Sequence, residues 1–212
     1  MPHSRFRITG QEVDRLATYH AMAAVGQTIL GMLENGLPRL EFAGAQLALF
    51  QANDFQNPKL TTGISLYLYH VAVNGSHRNR APRLGSDGKR YRPSLPLDLH
   101  YLLTAWAKTA VQQQRLLAWA MRELENTPIM HAGLLNHYGS EPETFRPSEA
   151  VELVCEPITL HDMADIWDAF KNSLQLSAAY VARMLMVDST LELAGVPLVQ
   201  ERNFDAGRVP VS

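Results

Sequence analysis

Three polar residues set in apolar runs are the first that could do chemistry. His70 stands in GISLYLYHVAV, and Asp98 and His100 stand in LPLDLHYLLTA. Two imidazoles and a carboxylate form a ligand set for a divalent metal when neighbouring strands bring them together. The same residues also fit a partly buried sheet on which polar side chains hydrogen-bond one another. Cys155, the single cysteine, lies in EAVELVCEPI. As a nucleophile it would need a depressed thiol pKa, and the sequence places no cation beside it; it reads as a small core residue. His161-Asp162 falls at a helix start, where Asp162 acts as a cap rather than in catalysis. There is no GxxxxGK[ST] or GxGxxG phosphate loop, no GxSxG elbow and no HExxH pair. The expectation is therefore a non-enzyme, with no catalytic residue, cofactor or metal assigned.

Two other features offer surface chemistry. The segment Asn74 to Pro93 holds Arg78, Arg80, Arg83, Lys89, Arg90 and Arg92 against one acid, Asp87. Six cations minus one anion give it +5, whereas the whole chain carries -2, so the remainder carries -7. Such a loop is either a solvated hairpin tip or a docking element for an acidic partner, and less readily for phosphate. Tyr91 is its one aromatic, so the alternation of cations and aromatics that grips single-stranded nucleic acid is weak. The second feature is the arm Ser189 to Ser212. Leu191, Leu193, Val196, Leu198, Val199 and Phe204 would be costly to leave in water. It can fold back on its own domain, cross to a neighbouring subunit or add a strand to a partner sheet.

The elements that must position these residues follow from periodicity and punctuation. A helix is predicted from about Gly10 to Glu34, opened by a Thr9/Glu12 capping box and closed by Asn35-Gly36 and Pro38. Gln46–Gln51 reads as a short strand. Gly63–Val73 reads as a central strand, with Leu66, Leu68, His70 and Ala72 on one face and Tyr67, Tyr69, Val71 and Val73 on the other. The basic segment is a hairpin connection turning at Ser86-Asp87-Gly88, and a second strand runs over Leu95–Ala105. A helix covers Lys108–Glu125 with Ala110, Val111, Leu117, Met121 and Leu124 inward. A short helix within Ile129–His137, a loop over Gly139–Ser148, a strand over Glu149–Ile158, a helix over His161–Asn172 and a last strand over Ser177–Val187 complete the chain. This order gives an α+β fold: residues 1–188 as a single domain, a mixed or antiparallel sheet of about five strands with helices packed on it, then the extended C-terminal arm over 189–212.

Composition bounds the rest. The 212 residues suffice for one domain with a full core. A single cysteine excludes an internal disulfide framework and fits a reducing, cytoplasmic setting. No apolar run approaches the roughly 20 residues of a membrane span, and no secretory signal is read at the start. Apolar residues are 46%, which is ordinary, but charged residues are only 19% against a typical value of about 25%. Less solvated surface than usual suggests that neighbours cover part of it.

The strand ISLYLYHVAVN, the connection HRNR…YRPSLPLDLHYLLTAWA and the helix end LLAWAMRELENTPIM together resemble one known family. The later ITLHDMADIWDAFKNSLQLSAAYVARMLMV is similar to that family's second half, in which a strand leads to an Asp-Ile-Trp helix and a final strand. The family is the cap, or tail-terminator, protein of phage-tail-like contractile injection systems, the Pvc16-type N-terminal domain. The resemblance spans about Met22 to Ser189, and Leu97–Ala107 is its most specific piece. It implies a structural protein that closes the distal end of the inner tube and sheath as a hexameric ring. Its partners would be copies of itself and the tail sheath and tube proteins, with no membrane. It would assemble in the cytoplasm and then become part of the injection particle. The alternative is a nucleic-acid-binding or regulatory protein that uses the basic loop 75–93.

Overall fold

The long apolar runs do become the long strands. The computed structural model describes residues 17–193, apart from 86, 142 and 172. The Thr9/Glu12 capping box, the Ser86 turn position and the arm beyond Leu193 lie outside the described residues. Helix α1 (His20–Gly36) is followed by β1 (Gln46–Phe50), a 3-10 turn over Ala52–Phe55 and β2 (Gly63–Val73). The basic segment forms β3 (Arg83–Leu84) and β4 (Arg90–Tyr91). Then come β5 (Leu95–Trp106), α2 (Ala110–Glu125), β6 (Ile129–His131), α3 (Ala132–Tyr138), β7 (Ala150–Glu156), α4 (Leu160–Ala169) and β8 (Ser177–Val187).

Six strands make one sheet in the order β1-β2-β5-β8-β7-β6, parallel between β1 and β2 and antiparallel elsewhere. Its inner face packs on α1, α2 and α3. Val25, Ile29 and Leu33 of α1 and Leu116, Ala120 and Leu124 of α2 meet Leu66, Leu99, Tyr101 and Leu103 there. Its outer face carries a separate aromatic core. Phe55 stacks on Phe170 at 4.2 Å between ring centroids and meets Trp167 edge-on at 5.3 Å, over Leu102 and Trp106. The alternation of β5 explains the two cores: Tyr101, Leu103 and Ala105 face one way, and Leu102 and Trp106 the other.

Three expectations are corrected. Residues 17–19 are not helical and α1 starts at His20, because the Ala17 carbonyl accepts from the Asp188 amide at 2.7 Å and so does not join a helical ladder; the part of the expected helix over residues 10–16 lies outside the described residues. On α2, Val111 is exposed and Ala110 lies outside the stripe. Gln113 turns inward and donates to the Ala105 carbonyl at 2.8 Å, so the buried line runs through Leu116, Leu117, Ala120 and Leu124. On β2 the register shifts between Leu68 and His70. The bulge breaks the strict alternation, and His70 stands opposite His100 on the outer face rather than with Leu66 and Leu68 on the inner one. The central reading of β2 holds for Gly63–Tyr67. The five residues of β1 reach no further, and Val71 and Val73 are exposed.

Candidate docking surface

The basic hairpin is built by pairing and by one buried carboxylate. Asn74, just past β2, donates its side-chain amide to Asp98 at 3.0 Å. A 3-10 turn over Gly75–His77 follows, and then β3 pairs antiparallel with β4. Asp87 shapes the turn between them. Its carboxylate accepts from the Lys89 amide at 3.0 Å and from the Tyr91 hydroxyl at 2.7 Å. These bonds, the tyrosine's first, hold the Asp87 carboxyl below its usual range. Gly88 supplies the left-handed φ of +76° that this turn requires.

The start of the C-terminal arm lies beside β4. Arg92 donates its amide to the Leu191 carbonyl at 3.0 Å, and Leu193 donates to the Arg90 carbonyl at 2.7 Å. Lys89 pairs with Glu192 at 2.9 Å, which raises the lysine's pKa. Over residues 191–193, then, the arm folds back onto its own hairpin.

Asp188 ties this layer to the domain. Its side chain is fully buried, 2.9 Å from the Arg146 guanidinium and 3.8 Å from Nε of Arg83. The Ser94 hydroxyl donates to it as well. Arg83 also lies 4.6 Å over the Tyr91 ring. Arg83 is thus turned inward and Lys89 is engaged with Glu192, whereas Arg78, Arg80, Arg90 and Arg92 are exposed. Arg80 and Arg146 flank a cleft of about 470 Å³ beside Met184 and Met186 of β8.

The other candidates are placed differently. His70 and His100 do come together, with ring centroids 5.2 Å apart. His100 Nδ1, however, contacts Glu156 at 2.7 Å, an acid that sequence reasoning had not connected to it. Asp98 is occupied elsewhere. It accepts from Asn74 and from the Met184 amide at 3.0 Å. Two residues of β8, Arg183 and Met184, stand opposite Asp98 alone, and Met184 adopts a φ of +64°. Asp98 is therefore the clamp of a β-bulge. Among the described residues, no group of three or more His, Cys, Asp or Glu could hold a metal ion. The Cys155 thiol is pushed up in pKa by burial and, secondarily, by Glu125, the opposite of nucleophile activation. Asp162 closes a reciprocal capping box with Thr159, as its position indicated. No helix among the described residues is long and apolar enough to cross a membrane.

Sequence reasoning missed Asp188, Arg146 and Glu192. Asp188 carried one signal: it is the first charged residue after the apolar run that ends β8.

Residues 24–201 match the Pvc16 N-terminal domain model. The chain belongs to this family. Among curated proteins, none matches it. Among solved structures, the family member is similar to the PVC sheath/tube terminator of an extracellular contractile injection system in its extended state. That likeness has a TM-score of 0.62 at 15% identity, covering 90% of this chain and 65% of the other. It is also similar to the tube-terminating cap of the anti-feeding prophage, with a TM-score of 0.50 at 14% identity, covering 81% of this chain and 60% of that one. At such identities the likeness shows the fold, and this chain spans less than two thirds of either structure's length.

Proposed function

We propose that this chain is a structural, non-enzymatic cap. It closes the distal end of the tube and sheath of a contractile injection system, as a hexameric ring. The observation that carries this reading is a fold shared over 90% of the chain with a sheath/tube terminator, in a chain of the Pvc16 N-terminal domain family. The low charge content supports it, since a protomer seated among neighbours needs less solvated surface. In this reading the cap is made in the cytoplasm and leaves as part of the particle. Arg78, Arg80, Arg90 and Arg92 dock an acidic protein surface within the assembly. Arg83 and Lys89, which the sequence grouped with them, hold the hairpin in shape.

The test is to assemble tails with and without the chain and to measure their lengths by electron microscopy. Without it, tubes and sheaths of uncontrolled length are expected, and adding the purified chain restores a uniform length. Uniform, closed tails formed in its absence refute the proposal. A DNA or RNA titration whose affinity falls steeply with salt would instead favour the nucleic-acid reading of the basic loop.

A further inference from the structure

The hairpin's cations have a complementary surface on the same chain, at the other end of the sheet. Helix α4 turns Trp167 and Phe170 into the outer core and leaves Asp162, Asp165 and Asp168 exposed. It carries three acids and no Lys or Arg, with Lys171 the nearest cation in sequence. Beside it runs an open groove of about 490 Å³, lined by Ile158, Leu160, Met163, Leu174 and Leu176. Leu160 is 75% exposed, Leu174 49% and Leu176 40%, so an apolar groove lies open beside the acidic face of the helix. The hairpin end presents the matching pair of properties: exposed Arg78, Arg90 and Arg92, with Leu84 69% and Leu95 46% exposed beside them.

One chain cannot bring these two surfaces together. The hairpin leaves and rejoins the sheet at Val73 and Leu95, where Leu95 pairs with Val187. The groove lies where Thr104 pairs with Ser177 and the Ala105 amide donates to the Leu176 carbonyl. At about 3.3 Å per strand residue, the ten-residue span of β5 separates them by about 30 Å. Complementary patches at opposite ends of a rigid sheet make a heterologous contact, which propagates from copy to copy and closes when the rotation permits.

We infer that the exposed cations of the basic hairpin dock on the acidic face of helix α4, beside its apolar groove, in a second copy of this chain. This assigns the hairpin's acidic partner and rests on the ring in the proposed function. Aliphatic side chains at both ends supply the desolvated centre, and the charges set orientation and partner choice.

The test is a charge exchange on the full chain. The first variant carries Arg90→Glu with Arg92→Glu, and the second Asp165→Lys with Asp168→Lys. Asp162 is left alone because it caps α4. Circular dichroism establishes that both variants fold. Light scattering should show wild-type association that weakens with salt, and at least about tenfold weaker association for each variant alone. An equimolar mixture of the two should associate again, because each reversed surface then meets its complement. Variants that associate like wild type, or a mixture that stays as dissociated as its parts, overturn the inference. A wild-type chain that is monomeric at every concentration yet still caps tails overturns this contact and leaves the cap function standing. A mixture that reassociates while wild type fails to cap tails keeps the contact and removes the function.

Discussion

Asp188 is the residue on which the hairpin layer depends. Its fully buried carboxylate faces two guanidiniums, and its backbone amide also fixes Ala17. Removing one member of a buried charge group leaves the others desolvated, which costs about 3–5 kcal/mol. Asp188→Ala is therefore expected to lose about that much stability in chemical denaturation. A loss below about 1 kcal/mol, the scale of an exposed pair, would show that Arg83 and Arg146 do not depend on it. Asp98 is a second case in which a carboxylate that resembled a ligand proves structural. It holds the Met184 amide, and with it a backbone conformation that side chains rarely adopt. Neither role was legible in the sequence. Both arise from partners distant in the sequence, Arg83 and Arg146 for Asp188 and Met184 for Asp98, and no local pattern encodes them.

At the scale of elements, packing makes its own prediction. Helix α1 meets α3 through Gly31, where a Cβ would sit 2.5 Å from Cγ of Tyr138. Alanine favours a helix by about 1 kcal/mol over glycine. Overpacking of this kind costs about 1–3 kcal/mol, so Gly31→Ala should lower the melting temperature. In a Tyr138→Ala background the same change should become neutral or stabilising; an additive pair would refute the packing account. Much of the element map was legible. β2 and β8 were read at their observed ends, and β5 to within one residue, because interior strands are continuous apolar runs bounded by Pro, Gly and polar residues. The start of α4 was legible through Asp162. The bulges in β2 and β8, the edge strand β6 and the pairing of β4 with residues 191–193 were not. Each is decided by a partner strand rather than by its own residues. The basic cluster was visible as composition, but only the structure separates the inward Arg83 from the exposed Arg78, Arg80, Arg90 and Arg92.

At the scale of the whole molecule, the fold distributes its charge unevenly. A cationic hairpin lies at one end of the long strands, and an acidic helix beside an apolar groove at the other. In the proposed function both ends meet neighbouring protomers of a ring. The measurement that tests this most directly is electron cryomicroscopy of tails assembled with the tagged chain. The account predicts density for the chain at one end only, the distal one, as a sixfold ring over both tube and sheath. Tails whose distal end is closed without it, or a chain distributed along the sheath, would contradict the account.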